Sequence, residues 1–522
     1  MAKKHTRTSL SASQASSPAN LLQRAVQCHQ QGKIDEAETL YKKVLAADSG
    51  NANALYLLGV IFIQRSQFEK SLSYIERSLE INPANVSAHY NLGLALQSLY
   101  MCDKAAIAYL SALQLDPKHL GSLTNLAAAY MYLEKYAQAE EVFRKLVGLN
   151  PQNIETLNNL GMCLFKRGQI EKALAYYEQA MALNAENPEL NNNLGFALQS
   201  QGDFTGAREA YLRAVSGDPQ YGGAWNNLGS LYWQTQAFSE ANEAYKKGAE
   251  CEKSAAVANT ALAISHWLEQ DLNSLNNTLQ KIEGYPEIRY SANQNTFIQG
   301  YRGYLEALGS LAASKPELYR EPGSAEALYV IGDSHCLSWH NLPVSIKENT
   351  YQAQAKLVVG CKAWFLVQSQ ANQYKENLSR VLETVPANAA LAFVFGEIDC
   401  RLDEGIIPAA RKAATDPIEN AQSLAQAYVA ELAALLEGHT GKAFVINVPR
   451  PQPAQMTVDE DVAQLHTVVS AFNQGLEAAV PQSDSLALLD VYSLSGEPQQ
   501  PEPPYLLDGV HLNPSILQLD WR

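Results

Sequence analysis

Cysteine is sparse in this chain: there are seven in 522 residues, scattered, with no Cys-x-x-Cys pair. That leaves no zinc framework and no disulfide scaffold, and it suits a reducing compartment. Positive charge is also short, with 39 Lys and Arg against 54 Asp and Glu and a formal charge of −15. This balance argues against nucleic acid as a partner, because a phosphate backbone is gripped by clustered cations. The longest apolar run near the start covers residues 55–63, far below the roughly 18–20 residues that cross a bilayer. Walker A, Rossmann and HExxH patterns are missing, so no cofactor and no metal are expected. These absences predict a cytoplasmic protein with no membrane partner. Residues 1–17 are basic and Ser-rich and lack the apolar core of a signal peptide, so a disordered tail is expected there. The whole chain is 47% hydrophobic and 18% charged, ordinary for a chain that buries cores.

Written in registers of 34 residues, the first half falls into columns. A small residue recurs at Gly59, Gly93, Ala127, Gly161, Gly195 and Gly229, each preceded by Leu. Twelve positions on stand Ser71, Ala105, Ala139, Ala173, Ala207 and Ala241, and four further on Ile75, Tyr109, Phe143, Tyr177, Tyr211 and Tyr245. Each unit therefore holds two amphipathic stretches at helical spacing, with small residues where the two helices approach. Pro83, Pro117, Pro151 and Pro219 end units because proline cannot continue the helical ladder. No such unit buries its apolar face alone, so the units stack. One column is polar: Asn91, Asn125, Asn159, Asn193 and Asn227, interrupted by Leu57. A row of side-chain amides suits the donors and acceptors of an extended peptide, and it equally suits hydrogen bonds between helices.

The second half changes period. Residues 286–324 are irregular, with a short helix predicted over 301–311, and read as a connector. Continuous apolar runs follow at 327–331, 391–395, 443–448 and 486–491, separated by predicted helices over 371–383, 420–436 and 462–480. Continuous runs predict strands buried on both faces, and alternating β and α predicts an open parallel sheet whose site lies beyond the carboxyl ends of its strands. Polar residues collect there: Gly332-Asp333-Ser334-His335 after the first strand, Gly396-Glu397-Ile398-Asp399-Cys400-Arg401 after the second, and Asp508-Gly509-Val510-His511 near the end. A Ser, an Asp and a His at such ends can form a relay in which His deprotonates Ser and the acid orients His.

The 34-residue columns resemble the tetratricopeptide repeat family over residues 18–285, and the asparagine column is similar to that of the O-GlcNAc transferases. The resemblance implies a right-handed superhelix with a concave surface that binds a protein or peptide. The second half resembles the SGNH/GDSL hydrolases over residues 325–522. That resemblance implies Ser334 as nucleophile, His511 as general base with Asp508, and Gly360 as an oxyanion donor. Ile398 stands where that family carries its oxyanion-binding Asn; Arg401 is the candidate substitute. The expected architecture is an α-solenoid at 18–285, a connector at 286–324 and an α/β three-layer sandwich with a flavodoxin-like parallel sheet at 325–522. The expected activity is that of a serine esterase on an ester-bearing glycan or small substrate. The alternatives are an O-acyltransferase acting on a glycan and a non-catalytic scaffold with a degenerate hydrolase domain.

Overall fold

The computed structural model describes residues 17–284, 292–319, 325–396, 398–400, 405–449, 459–483, 485–494 and 511–514. The predicted tail lies almost wholly outside them. The chain divides into two compact units, one ending at Ala185 and the other beginning at Glu186.

The first unit is built of helical hairpins: α1 (Pro18–Gln30) with α2 (Ile34–Ala47), α3 (Ala52–Gln64) with α4 (Phe68–Ile81), α5 (Val86–Ser98) with α6 (Cys102–Leu115), α7 (Leu120–Tyr132) with α8 (Tyr136–Leu149), and α9 (Ile154–Lys166) with α10 (Ile170–Leu183). The first helix of a hairpin starts on a side-chain cap. Asn51, Asn85 and Asn153 accept the backbone N–H three residues on at 3.1, 3.0 and 2.7 Å, satisfying a donor the helix itself cannot. The small and large columns then lock. A Cβ on Gly93 would stand 2.3 Å from the Tyr109 ring, and one on Gly161 2.5 Å from Tyr177. The turn inside each hairpin carries one left-handed residue at the same register: Gly32, Ser66, Tyr100, Glu134 and Gly168 all have positive φ.

The second unit begins with three more hairpins, α11 (Pro188–Gln201) with α12 (Phe204–Gly217), α13 (Gly222–Gln234) with α14 (Phe238–Ala249), and α15 (Ala255–Leu268) with α16 (Leu272–Glu283). Sixteen helices thus carry the repeats. The segment read as a connector contains α17 (Ala292–Ser314), a helix of 23 residues and twice the predicted length. Its Tyr304, Leu305 and Leu308 are fully buried.

Among the described residues the sheet has six strands, β1 (Glu326–Gly332), β2 (Pro343–Ile346), β3 (Asn349–Leu357), β4 (Ala390–Val394), β5 (Ala443–Ile446) and β6 (Leu486–Leu489), in the order β2-β3-β1-β4-β5-β6. The four predicted strands are present, but the expectation of a purely parallel sheet is corrected: β2 runs antiparallel to β3, so the sheet is mixed. β3 escaped a search for continuous apolar runs because it alternates. Tyr351, Ala353, Ala355 and Leu357 are buried while Gln352, Gln354 and Lys356 are not.

Both faces of the sheet are covered. On one, Leu328, Val330, Ala392 and Phe444 share a core with Trp267 of α15 and with Tyr304 and Leu308 of α17. On the other, Ile331, Leu391, Phe393 and Val445 pack with Leu378 of α19 (Gln373–Glu383), Tyr428 of α21 (Pro417–Leu435) and Phe472 of α22 (Asp459–Ala479). Two short helices, α18 (Ala363–Leu366) and α20 (Ile406–Ala413), complete that side. No described helix is long and apolar enough to cross a membrane.

Candidate active site

β1 ends at Gly332 with no room for a side chain: a Cβ there would sit 2.3 Å from Val394 Cγ1 and from Val394 O. The chain then turns at Asp333 into a six-residue 3-10 helix, Ser334–Trp339. Asp333 Oδ1 caps it, accepting the His335 backbone N–H at 3.0 Å and meeting His335 Nδ1 at 2.8 Å. Burial pushes the Asp333 carboxyl up, but the His335 imidazole and N–H override it, so the group is held below its ordinary value. This pair fixes the turn and leaves Ser334, half-buried, at the mouth of the sheet.

His511 comes back to that serine from the far end of the chain. Its Nε2 lies 2.9 Å from Ser334 Oγ, a hydrogen bond between residues 177 apart in sequence. The imidazole is held as a plane. It stacks on the Tyr304 ring with centroids 3.6 Å apart and planes 9° apart. Tyr304 is itself pinned by a 2.6 Å hydrogen bond between its hydroxyl and Ser338 Oγ. The His335 ring stands 4.7 Å away on another side. Trp267 Nε1 donates to Leu337 O at 3.2 Å, tying the last repeat hairpin to the same turn.

The loop after β3 is fastened beside this turn, because Val358 N–H donates to Gly332 O at 2.7 Å. Gly360 lies in that loop with φ +65, a conformation glycine adopts without strain. Asp399 holds the next stretch, accepting Ala363 N–H at 2.7 Å and Trp364 N–H at 3.1 Å. Burial pushes its carboxyl up to about 6 in spite of those donors.

Two predicted residues, Ser334 and His511, therefore meet, and Gly360 sits on a segment bonded to Gly332, two residues before Ser334. Asp508 and Arg401 lie outside the described residues. Sequence reasoning missed three contributors. Asp333 and Asp399 were in the blocks already singled out, and their roles show only once the backbone donors are placed. Tyr304 came from a segment read as connector, and nothing in its neighbours signals a ring stacked on a histidine more than 200 residues away.

The asparagine column is engaged internally at several positions. Asn91 Nδ2 donates to Tyr56 Oη at 2.9 Å and to Ser87 O at 3.0 Å, which occupies both of its protons. Asn125 Nδ2 reaches Tyr90 Oη at 3.4 Å. Asn227 Nδ2 donates to Asn192 Oδ1 at 2.9 Å. Asn159 and Asn193 are half-buried like the others. A cleft of about 1020 Å³ lies where β5 and β6 begin, beside His439 and Lys442, at the opposite end of the strands from Ser334.

Tetratricopeptide repeat models match residues 29–96, 120–153, 163–202 and 192–256, so the hairpins are tetratricopeptide repeats. Similar solved structures include a tetratricopeptide repeat protein from Parabacteroides merdae, 17% identical, with 44% of this chain and 91% of that one covered and a TM-score of 0.38. MamA from Desulfovibrio magneticus RS-1 is 21% identical, with 32% and 93% covered and a TM-score of 0.31. YrrB, described as a repeat protein with an unusual peptide-binding site, is 24% identical, with 34% and 91% covered and a TM-score of 0.28. No curated protein matches the chain.

Proposed function

We propose that residues 325–522 form a serine hydrolase of the SGNH/GDSL type that cleaves an O-acyl or O-acetyl ester, and that the repeats bring it a protein or peptide. The observation that carries this is the 2.9 Å contact between His511 Nε2 and Ser334 Oγ, within the reach a general base needs. Strand order supports it. The five parallel strands run β3-β1-β4-β5-β6, which counted along the chain is the 2-1-3-4-5 order of flavodoxin-like sheets, with the site beyond the carboxyl ends.

In this reading His511 takes the Ser334 proton as Oγ attacks the acyl carbonyl. Backbone N–H groups near Ser334 and Gly360 hold the charge that develops on the carbonyl oxygen, with Arg401 as a further donor in place of the missing Asn. The imidazolium returns the proton to the leaving alcohol. Water then attacks the acyl-serine and passes a proton to His511, which gives it to the departing Ser334 Oγ as the carboxylic acid is released; in a transferase, a sugar hydroxyl takes the place of that water. Asp508 would orient the imidazole, and Tyr304 keeps its ring in the plane that faces Ser334.

A second reading, a protein-binding scaffold with a silent hydrolase domain, is favoured by Ile398, since losing one oxyanion donor costs on the order of 10²–10³ in rate. A fluorophosphonate probe separates the two. Wild-type protein labels at Ser334 and hydrolyses p-nitrophenyl acetate, while Ser334→Ala does neither and keeps its circular dichroism spectrum. Wild type that fails to label, or a variant as active as wild type, sinks the hydrolase.

A further inference from the structure

A cavity of about 280 Å³ opens where α13, α15 and α17 face the end of β3 and the start of α19. Trp233, Ile264, Phe297, Leu357 and Val359 form its apolar wall, and among the described residues no Asp, Glu, Lys, Arg or His lines it. An ionised group entering it would lose hydration and gain no partner. Much of the polar lining is already used. Asn226 Nδ2 donates to Ser254 O at 3.1 Å, Asn227 Nδ2 to Asn192 Oδ1 at 2.9 Å, and Gln234 Oε1 accepts from Gln199 Nε2 at 3.1 Å.

Two amide oxygens are left over. Asn226 Oδ1 has no hydrogen-bond partner among the described residues and stands against Gly248. Asn377 also lines the cavity, is 3% exposed, and its Oδ1 has no hydrogen-bond partner among the described residues. A buried amide oxygen left unpaired is costly, so a ligand that supplies its partner is the economical explanation. The natural complement of an amide is another amide, and this unit shows the pairing. Asn473 accepts Val448 N–H at 2.9 Å and donates to Val448 O at 2.8 Å, a two-point contact with the backbone N–H and C=O of one residue. A sugar ring would bring several hydroxyls to a lining with few free partners. A peptide brings one amide and one apolar side chain.

The location adds a purpose. Leu357, on the cavity wall, is the register partner of Gly332, and Ser334 is two residues further along. Neighbouring strands stand about 4.8 Å apart, so the cavity and the nucleophile are separated by roughly three residues of extended chain.

We propose that this cavity anchors a polypeptide substrate: it takes one neutral apolar residue, Asn377 pairs with that residue's peptide group, and the ester-bearing residue lies two or three positions away over Ser334. The substrate assignment rests on the hydrolase reading; the peptide anchor does not.

The test uses the full-length protein and capped, amidated hexapeptides that differ in one residue, Phe, Gly or Lys, placed three positions from a serine. By calorimetry, the unacylated Phe peptide should bind at least tenfold more tightly than the Gly and Lys peptides, and both Ile264→Trp and Asn377→Leu should remove that preference. Asn377→Leu should also melt no lower than wild type, since it deletes an unpaired polar group; a lower melting temperature together with unchanged binding would overturn the anchor. Equal binding of the three peptides, or stronger binding of N-acetylglucosamine, would overturn it too. With the serine O-acetylated, kcat/KM should favour Phe over Gly by at least tenfold. Peptide preference in a protein that never labels with fluorophosphonate keeps the anchor and sinks the hydrolase; labelling without peptide preference keeps the hydrolase and sinks the anchor.

Discussion

The repeats and the sheet are held together over different lengths of chain. In the repeats, a bond such as Asn91 to Tyr56 spans 35 residues, and its equivalents return one register later. In the sheet, Ser334 meets His511 across 177 residues, and nothing else among the described residues repeats the contact. A defect in a repeat is therefore expected to stay local, as in other arrays where each unit touches only its neighbours. A defect at the end of β1 is expected to reach the site.

Paired glycine substitutions break or support that contrast most strongly. In Gly332→Ala the new Cβ meets Val394 O, which is backbone and cannot rotate away. The expected loss is about 3 kcal/mol, the upper range for overpacking. Fluorophosphonate labelling should also fall at least tenfold, because the Ser334 hydroxyl moves with the strand end. In Gly161→Ala the three atoms nearest the new Cβ all belong to the Tyr177 ring. Ala regains helix propensity there, so the expected net loss is about 1 kcal/mol, with labelling unchanged. Urea denaturation and labelling rate check both. Equal losses of labelling in the two variants would erase the distinction.

Acid should sharpen the contrast. Two buried groups of the second unit respond in opposite directions. Asp399 titrates at about 6 when folded, above its unfolded value, so the stability linked to its protonation increases as the pH falls from 6 towards 4. Burial drives His340 down to about 4. A histidine depressed in the folded state charges first in the unfolded chain, so stability is lost over the same window. Each effect is about 2 kcal/mol between pH 6.5 and 4.5, and they nearly cancel in wild type. His340→Gln, able to keep the contacts of its ring with Leu268 O and Ala355 N–H, should leave the second unit more stable at pH 4.5 than at 6.5 by about 2 kcal/mol. Hydrogen exchange, corrected for intrinsic rate, resolves it on the β4 and β5 amides. In the first unit, Lys42 and Arg65 hold the Glu38 carboxyl below its ordinary value, so its contribution persists through this window and is lost only at lower pH. A flat response in the variant would remove Asp399 as the second titrating group.

The same difference in contact length explains what the sequence could be made to say. The repeat columns gave helix pairs, spacing and packing partners because each rule is stated several times: Gly93 against Tyr109 is stated again as Gly161 against Tyr177. In the sheet, Gly332-Asp333-Ser334 and His511 were legible as chemistry, and their meeting was inferred from strand ends. β3 was not legible, since alternating Gln and Lys hide a strand that is paired on both sides and buried on one face. Nor was Tyr304, whose contact with His511 is made once. The asparagine column was legible as a pattern, and its Asn91 and Asn227 amides serve neighbouring helices. Even in the repeats one rule was written faintly. The left-handed turn position returns at Gly32, Ser66, Tyr100, Glu134, Gly168, Gly202, Gln236 and Gln270, but glycine fills only three of these eight positions.

That faint column supplies the smallest effect. Glu134, between α7 and α8, has φ +56 and is exposed. A non-glycine residue in that conformation carries a cost of roughly 1–2 kcal/mol, and glycine returns part of the gain through unfolded-state entropy. Glu134→Gly should therefore stabilise the first unit by about 0.5–1 kcal/mol in urea denaturation. Ser66→Gly, two registers earlier at φ +56, should do the same. Because the two turns share no partners, their gains should add to within about 0.5 kcal/mol. Additivity is what independent local defects require. A double variant that falls well short of the sum would mean that the hairpins yield together, and the contrast with the sheet would then be one of degree only.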